Sequence, residues 1–378
     1  MPEVRVELFD VKDYLGTSTH LLLKQPQKKQ RQAVAQAISR IRSRLPDANL
    51  NIISLHACHF RGSIPFFVCA GNCVAKIEPH VCVTLIDDVY SCRERLLHGG
   101  YPFRYHQLLS WRQIECGLAD TVAEVCDVDN FYLAAKHPSI MLYRLIFEPT
   151  SPRLYSASQI TSARNDAQKR GEINTHRRQI HQAYTVFDPL TIDDRILVND
   201  LPQNEDAFQI ESSARWPFDI SNLGNGYGSL VPEDDTVFPV EVESDEAKAL
   251  ARPDQMSDFQ STIDAQITHR DYRYIDQADV MAAYRPRLLG HESGGVAAEK
   301  TYAAGTGSTP VVEYSPPEDT DETGSKPFGT PLAGPVLKDL HGFYEKLKST
   351  AREEAERRYR TNEDRYKVFE EFVSHFRS

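Results

Sequence analysis

The stretch ADVMAAYR, residues 278–285, is followed by SGGVAAEKTYAAG at residues 293–305 and by TPVVEYS at residues 309–315. The outer two segments are apolar runs of strand length, and the middle one is a glycine turn that opens an alanine-rich helix. A strand, a helix and a second strand in this order are typical of a parallel crossover unit. This stretch therefore predicts a parallel β-sheet in the second half of the chain.

The same alternation of strands and helices continues upstream of this stretch. RLYSAS (153–158) and TVFDPL (185–190) are predicted strands, and a charged helix is predicted between them over residues 165–184. Residues 261–277, STIDAQITHRDYRYIDQ, repeat apolar side chains at helical spacing and lead into the strand at 278–285. Alternation of this kind predicts a parallel sheet that is covered by helices on both faces.

The first half of the chain shows a similar alternation. Its predicted strands are NIISLHA (51–57), HVCVTLIDD (80–88) and IMLYRLIF (140–147), and its predicted helices are QRQAVAQAISRIRSRL (30–45) and SWRQIECGLADTVAEVC (110–126). The predicted fold class is therefore α/β, with two doubly wound parallel-sheet (Rossmann-like) domains and a long C-terminal helix.

The predicted domain boundaries follow changes in composition. Residues 1–150 form the first predicted domain and residues 151–315 the second, which carries an insertion or lid at about 200–258 rich in Asp, Glu, Pro and Gly. Residues 316–335, PPEDTDETGSKPFGTPLAGP, are typical of a flexible linker. Residues 336–378 predict an amphipathic helix, either docked on the body or used for self-association; its stripe is Leu337, Leu340, Tyr344, Leu347, Ala351, Ala355, Tyr359, Tyr366, Phe369 and Phe372.

Charge and cysteine content limit the classes of function. The chain has 378 residues and a formal charge of −11, which argues against a general nucleic-acid binder or a binder of anionic membranes. It contains no apolar run long enough for a membrane span and no N-terminal secretion signal, so a cytoplasmic location is expected. The seven cysteines include no C-x-x-C pair and several lie in apolar runs, which predicts free buried thiols and no metal site.

The segment SGGVAAE, residues 293–299, has the features of an anion-binding helix start. Small residues before a helix let backbone N–H groups approach an anion, and the positive end of the helix adds to the attraction. Gly294 and Gly295 would permit that approach, Ser293 would add a hydroxyl donor, and Glu299 lies about one turn into the helix. A carboxylate beside such a turn suits attack on a sugar carbon that is losing its base. The alternative is a tight turn with a surface glutamate.

The order of RLYSAS, IDQADVMAAY, SGGVAAEKTYA and TPVVEY over residues 152–315 resembles the nucleoside 2-deoxyribosyltransferase family and its nucleotide N-hydrolase relatives. Tyr155 matches the tyrosine of the family's first strand, although LYSASQIT lacks the usual Ala-Gly-Pro. Asp276 and Asp279 match the acidic positions at the strand entry. Glu299 matches the nucleophilic glutamate, and Ser293 resembles the serine that contacts phosphate in the monophosphate hydrolases.

The resemblance implies a glycosyl–enzyme mechanism that requires no cofactor. Glu299 would attack C1′ of the sugar, the base would leave with the help of a proton, and water or a second base would resolve the intermediate. Asp276 or Asp279 would supply electrostatic stabilisation or a general acid; alternatively, both simply form a turn between helix and strand.

Three arginines are candidates for contact with a 5′-phosphate, because a guanidinium group matches phosphate oxygens in pairs. They are Arg164, Arg270 and Arg273. The alternative for each one is a surface ion pair.

The first half carries a second candidate site. In VCVTLIDDVY, residues 81–90, an apolar run ends in Asp87 and Asp88, which would hold Mg²⁺ through water. The region resembles adenylate-kinase-like P-loop folds, but no G-x-x-x-x-G-K-[ST] motif occurs in the chain. The prediction is a degenerate kinase-like domain, with a strand end and helix cap as the alternative role of the two aspartates. His56 and His59 follow a predicted strand and either line a nucleotide pocket or have a structural role.

The sequence therefore favours hydrolysis of an N-glycosidic bond, or base transfer, on a nucleotide-like small molecule. Two alternatives remain at this point: a non-catalytic nucleotide-sensing protein and an atypical nucleotide kinase. Mg²⁺ is the one cofactor that the first domain admits. A homo-oligomer is compatible with the resemblance, because related active sites are often completed by a neighbouring subunit.

Overall fold

This computed structural model describes two units of mixed α/β structure. The described residues are 6–45, 50–61, 64–67, 71–163, 166–195, 197, 209–210, 240–241, 253–286, 293–305, 309–317, 336–364 and 366–367. The first unit contains those up to Tyr132 together with Lys367, and the second runs from Leu133 to Tyr366. Among these residues, no helix combines the length and the apolar character that a membrane crossing requires. The linker predicted over residues 316–335 and most of the 200–258 insertion lie outside the described residues.

The first unit contains small sheets and five helices within its described residues. Its strands are β1 (Val6–Asp10), β2 (Leu50–Ser54), β3 (Cys58–Arg61), β4 (Ile64–Phe67), β5 (Cys82–Ile86) and β6 (Asn130–Ala134), the last of which continues into the second unit. Its helices are α1 (Thr19–Leu23), α2 (Gln27–Arg42), α3 (Gly71–Val74), α4 (Val89–His98) and α5 (Tyr105–Cys126). Strands β1 and β2 are parallel, β3 and β4 form an antiparallel pair, and β5 pairs with β6.

Helix α2 provides the core of the first unit. Its apolar residues recur every three or four positions, which places them on one face. Val34, Ala37, Ile38 and Ile41 are buried on that face and pack with Phe9 of β1. This packing aligns the last turn of α2 with the carboxyl end of β1.

The second unit is built on one four-stranded sheet. The described strands of the whole unit are β7 (Arg153–Ser158), β8 (Thr185–Phe187), β9 (Gln209–Ile210), β10 (Val240–Glu241), β11 (Val280–Tyr284) and β12 (Val311–Tyr314). Its helices are α6 (Ser139–Phe147), α7 (Ile160–Ala163), α8 (Ala167–Ala183), α9 (Pro253–Asp276), α10 (Gly294–Gly305) and α11 (Leu340–Thr361). The sheet order is β12-β11-β7-β8 with every pair parallel, and β9 with β10 forms a separate antiparallel pair. The strand–helix–strand order read from residues 278–315 is confirmed.

One predicted strand is wrong. The run IMLYRLIF, residues 140–147, lies in helix α6, which follows Pro138. Met141 and Leu145 are buried four residues apart, as they are on one face of a helix. A short continuous apolar run does not distinguish a buried strand from a buried helix, because the period that separates the two is hidden when every residue is apolar.

The two faces of the four-stranded sheet are different. Leu154 of β7 packs with Ile173 of α8 and with Phe343 and Leu347 of α11 in one apolar cluster. Side chains of a strand alternate between faces, so Tyr155 points to the opposite face, where α9 and α10 contact β7. That face holds the polar groups described below.

Helix α11 is docked on its own unit. Phe343, Leu347, Ala351 and Ala355 follow each other at intervals of four and are all buried. Leu340, which the predicted stripe includes, is 40% exposed, and the buried aromatic residue is Phe343 instead. At the start of the helix, the predicted apolar stripe therefore differs from the observed buried stripe by about one residue.

Candidate functional site

Tyr155 is the centre of the candidate site. Its side chain is fully buried, and its hydroxyl lies next to the Glu299 carboxylate without forming a hydrogen bond of good geometry. Burial raises the pKa of Tyr155 well above its usual value, and the charges of Asp271 and Glu299 raise it further. Glu299 acts on the hydroxyl mainly through its charge. The structure therefore brings two of the predicted residues, Tyr155 and Glu299, together on the α9–α10 face of the sheet.

The orientation of Glu299 follows from how α10 is held. The Ser293 hydroxyl accepts a hydrogen bond from the backbone N–H of Val296 at 3.2 Å, which caps the first turn. Lys300, the next residue after Glu299, is buried and donates from Nζ to Oε2 of Glu313 on β12 at 2.6 Å. Consecutive helix residues point about 100° apart, so this ion pair with β12 turns Glu299 toward β7.

The glycines at the start of α10 leave that turn uncovered. Gly294 and Gly295 are both exposed. A Cβ atom on Gly294 would meet no described atom within 4 Å, and one on Gly295 would approach only the Ser293 hydroxyl oxygen, at 4.0 Å. Packing against the described residues therefore does not require glycine at either position.

Asp271 is a site residue that the sequence analysis missed. It is buried on α9, and its Oδ1 accepts hydrogen bonds from Nε and Nη2 of Arg270 at 2.9 and 2.8 Å. Burial raises the pKa of Asp271, and the Arg270 guanidinium opposes the shift. The sequence feature that could have identified Asp271 is its position on the helix. Tyr274 and Ile275, three and four residues later, are buried, and residues at this spacing share one face of a helix.

Arg270 and Arg273 differ in their surroundings. Arg270 is buried and donates from Nη1 to the backbone oxygen of Ile192 at 2.9 Å, in addition to its pairing with Asp271. Its guanidinium is thus engaged by protein groups. Arg273 lies near Tyr302, whose pKa its charge lowers. The predicted Arg164 lies outside the described residues.

The two aspartates predicted at the strand entry are engaged by other protein groups. Asp276 is exposed and accepts hydrogen bonds from the Tyr302 hydroxyl at 3.1 and 2.9 Å. Asp279 is buried, accepts from the backbone N–H of Arg153 at 2.8 Å and pairs with Nε of Arg358 at 2.6 Å. Both residues precede β11 and therefore lie at its amino end, where Asp279 links three parts of the second unit.

A buried polar network lies at the carboxyl end of β8. Oδ2 of Asp188 accepts from Nε of Arg177 at 2.7 Å and lies 3.2 Å from Nε2 of His181, while Oδ1 accepts from the backbone N–H of Leu190 at 2.9 Å. Burial opposes ionisation, but the Arg177 charge and the His181 contact hold the pKa of Asp188 well below its usual range. The network fixes the loop after β8, which contains Ile192, the residue that Arg270 contacts.

Asp87 and Asp88 are engaged by protein groups. Asp87 pairs through Oδ2 with Nη2 of Arg95 at 2.7 Å, and its Oδ1 accepts from the backbone N–H of Asp88. Asp88 caps helix α4 by accepting from the backbone N–H of Ser91 at 2.9 Å. These contacts match the alternative role of strand end and helix cap, and they do not fit a Mg²⁺ site. The described residues also contain no group of three or more His, Cys, Asp or Glu side chains that would hold a metal ion.

His56 and His59 lie beside Glu115 in the first unit. Glu115 accepts from the backbone N–H groups of Ala57 at 2.6 Å and Cys58 at 3.0 Å, and its Oε1 is 3.6 Å from Nδ1 of His56. Hydrogen bonding to Glu115 raises the pKa of His56, whereas burial lowers the pKa of His59 to about 4. Glu115 therefore anchors the turn that follows β2, and the histidines flank that anchor.

Six of the seven cysteines lie in the described part of the chain, and all six are free thiols, as predicted. Burial raises the pKa of Cys82 and of Cys116 to about 11, and that of Cys92 to about 12. A thiol reacts as its thiolate, so these cysteines act as small apolar residues of the interior.

Comparison with protein-family models and with curated proteins finds no match for this chain. Its class therefore rests on fold and site alone. It is a mixed α/β protein whose second unit places the charges of two carboxylates, from two helices, near one buried tyrosine hydroxyl of a parallel sheet.

Proposed function

We propose that the second unit cleaves, or transfers, the N-glycosidic bond of a nucleotide-like small molecule with Glu299 as the nucleophile. The observation that carries this proposal is the convergence of Glu299 and Asp271 on the buried Tyr155 hydroxyl. Two carboxyl groups at one centre are the usual equipment for cleaving a glycosidic bond, one as nucleophile and one as proton donor. The resemblance of residues 152–315 to nucleoside 2-deoxyribosyltransferases supports the same reaction.

The proposed reaction has two displacement steps. In the first, a carboxylate oxygen of Glu299 forms a bond to C1′ of the sugar while the bond from C1′ to the base nitrogen breaks, and the electron pair of that bond leaves with the base. The base takes up a proton as it leaves. In the second step, water or the nitrogen of another base attacks C1′ and releases Glu299, with loss of one proton from the attacking group.

Asp271 is the proposed proton donor to the leaving base. Burial raises its pKa, which increases the fraction of the carboxyl group that carries a proton near neutral pH. Tyr155 is the proposed positioning residue for Glu299, since its hydroxyl faces that carboxylate and has no other partner in the described part of the chain. Asp276 and Asp279 have no catalytic role in this proposal.

The proposed position of the ligand's phosphate is the first turn of α10. The exposed backbone at Gly294 and Gly295 and the helix's positive end favour an anion there. Arg270 is engaged by Asp271 and Ile192, so the phosphate is assigned to α10 rather than to Arg270. We also propose that both units are doubly wound domains. For the second unit, the parallel strand order β12-β11-β7-β8 and the helices on both faces of this sheet support that arrangement.

The decisive experiment compares Glu299→Gln with wild-type protein on a panel of nucleoside monophosphates, deoxynucleoside monophosphates and NAD. Free base is measured by chromatography. Loss of the nucleophile is expected to lower base release by about 10³-fold or more, while thermal unfolding changes little because Glu299 is only half buried. Base release by Glu299→Gln at the wild-type rate would exclude the assignment.

Two aspartate variants test the proton donor, with Asp276→Asn as the matched control for Asp271→Asn. Asp271→Asn keeps the size of the side chain, removes the proton donor, and is expected to slow base release by about 10²- to 10⁴-fold. Asp276→Asn changes an exposed carboxylate of the same helix that bonds Tyr302 and is expected to retain the wild-type rate. A rate for Asp276→Asn as low as that for Asp271→Asn would contradict the assignment of the proton donor to Asp271.

A further inference from the structure

The first unit contains a cleft at the carboxyl end of β1. It has a volume of about 400 Å³, and its walls include Asp13, Tyr14, Arg40 and Arg44. Ligands of parallel α/β sheets bind beyond the carboxyl ends of the strands. The volume of this cleft also falls within the range of small-molecule sites. Neither the proposed reaction of the second unit nor any of the candidate residues from the sequence involves these side chains.

The two arginines form a cationic wall. Arg40 lies in the last turn of α2 and Arg44 lies two residues beyond the end of that helix. Both side chains line the cleft, where their like charges repel each other. Arg40 donates from Nη1 to the backbone oxygen of Tyr14 at 3.0 Å, and the guanidinium of Arg44 lies 5.5 Å from the centre of the Tyr14 ring. Neither arginine pairs with a carboxylate within the described residues, whereas Arg42, between them, approaches Glu78 at 3.9 Å. The cleft therefore contains two positive charges that an anion would stabilise.

The opposite wall carries a carboxylate. Asp10 is occupied, because its Oδ2 pairs with Nζ of Lys12 at 2.6 Å and its Oδ1 accepts from the backbone N–H of the same residue. Asp13 is exposed, and Lys12 attracts it only through charge. Gly16 also lines the cleft and has a φ of 73°, a left-handed conformation that glycine adopts without the strain a side chain would add. Asp13 is thus available to accept hydrogen bonds from ligand hydroxyl groups.

We propose that this cleft binds a phosphorylated sugar, either free or as part of a nucleotide. Arg40 and Arg44 hold the phosphate oxygens, because guanidinium groups donate to phosphate in pairs. Asp13 accepts from the hydroxyl groups of the sugar. The site lies entirely within the first unit and is separate from the tyrosine and carboxylates of the second.

The test is calorimetric titration of the full chain with ribose 5-phosphate, AMP, inorganic phosphate and ribose. Arg44→Gln is the first variant, because Arg44 lies over the Tyr14 ring and pairs with no carboxylate within the described residues. Removal of one charge-assisted contact to phosphate is expected to weaken binding of the phosphorylated ligands about tenfold, and Arg40→Gln is expected to have a similar effect. Arg42→Gln is the matched control, and wild-type affinity is expected. Tighter binding of AMP than of ribose 5-phosphate identifies a nucleotide as the source of the phosphate, and the reverse identifies a free sugar phosphate.

Asp13→Asn tests the sugar contact, and hydrogen exchange locates the ligand. Asp13→Asn is expected to weaken ribose 5-phosphate binding while binding of inorganic phosphate is retained. Ribose 5-phosphate is expected to protect backbone amides in residues 11–16 and 40–45. Protection limited to residues 293–299, or equal losses in Arg42→Gln and Arg44→Gln, would overturn the proposal. Ribose 5-phosphate has no base to release, so this outcome is independent of the reaction assigned to Glu299.

Discussion

A single hydroxyl group explains much of the candidate site. Tyr155 is 0% exposed and its hydroxyl makes no hydrogen bond of good geometry with the described residues. Burial of an unsatisfied polar group costs about 1–3 kcal/mol, which a residue chosen for packing alone would avoid as phenylalanine. The proposed function gives a reason for this cost, because the hydroxyl lies beside the charges of Asp271 and Glu299.

Tyr155→Phe is expected to separate stability from activity. The substitution removes an unsatisfied hydroxyl and keeps the ring, so the free energy of unfolding should stay the same or rise by up to about 1 kcal/mol. Base release should fall about 10- to 100-fold, because Glu299 loses the group that positions it. Urea unfolding and the chromatographic assay measure the two quantities. A large loss of stability with full activity would contradict the role given to Tyr155.

At the scale of elements, one arginine attaches the C-terminal helix to the sheet. Arg358 of α11 pairs with Asp279 through Nε at 2.6 Å and Nη2 at 3.2 Å. It also donates to the backbone oxygens of Pro149 and Ser151 and to the Tyr366 hydroxyl. Asp279 was predicted as a catalytic candidate, but in the structure it receives this arginine at the amino end of β11.

Arg358→Ala is expected to destabilise the second unit by about 3 kcal/mol, because it leaves the carboxylate of Asp279 buried without its cation. The side chain of Asp279 is 3% exposed. Arg352→Ala is the control on the same helix, since Arg352 is 81% exposed and pairs with Glu356, and a change under about 0.5 kcal/mol is expected. Urea unfolding of both variants and of Asp279→Asn tests the comparison. Equal small effects in all three would contradict the role of Arg358.

At the scale of the whole chain, the second unit keeps histidines neutral in its interior. Burial lowers the pKa of His137 and that of His176 to about 3. The ring of His176 stacks on Tyr284 with a centroid distance of 4.3 Å, and its Nδ1 lies 3.0 Å from the Tyr344 hydroxyl. His137 receives the backbone N–H of Asp188 at 3.1 Å. Both rings therefore connect elements that are distant in sequence.

These histidines predict how stability depends on pH. Below about pH 6.5 the unfolded chain binds protons at both rings, while the folded unit does not, so stability is complete above that pH and is lost as the pH falls toward 3. Between pH 7.5 and 5.5 the free energy of unfolding should fall by about 2–3 kcal/mol, or about 1.4 kcal/mol per histidine. Urea unfolding at several pH values measures this slope.

Two histidine variants separate this effect from a general effect of acid. His176→Phe keeps a ring against Tyr284 and should make the change in unfolding free energy between pH 7.5 and 5.5 smaller by about 1.4 kcal/mol. His341→Asn changes an exposed histidine of α11 and should leave the slope as in the wild type. A slope that is the same in all three proteins would show that buried histidines do not set the pH dependence.

Much of the second unit follows from local sequence patterns. The alternation of strands with helices identifies β7, helical spacing within residues 261–277 identifies α9, and the glycines of SGGVAAE mark the start of α10. Glu299 was a candidate from that turn, and Tyr155 from the resemblance of residues 152–315 to nucleoside 2-deoxyribosyltransferases. The run at 140–147 was misassigned because all of its positions are apolar, and a uniform run has no period to measure.

The sequence by itself determined the strand–helix–strand order of residues 278–315, the free thiols and the glycine-opened helix with its glutamate, because these properties depend on residues that are neighbours along the chain. Only the tertiary structure decided that Asp271 joins Tyr155 and Glu299, and that Asp279 instead pairs with Arg358. The physical reason is that the interaction partners of a side chain depend on the end of the sheet at which the side chain lies and on the helix that packs over it. Residues as far apart as positions 155, 271 and 299 meet only after the sheet has formed.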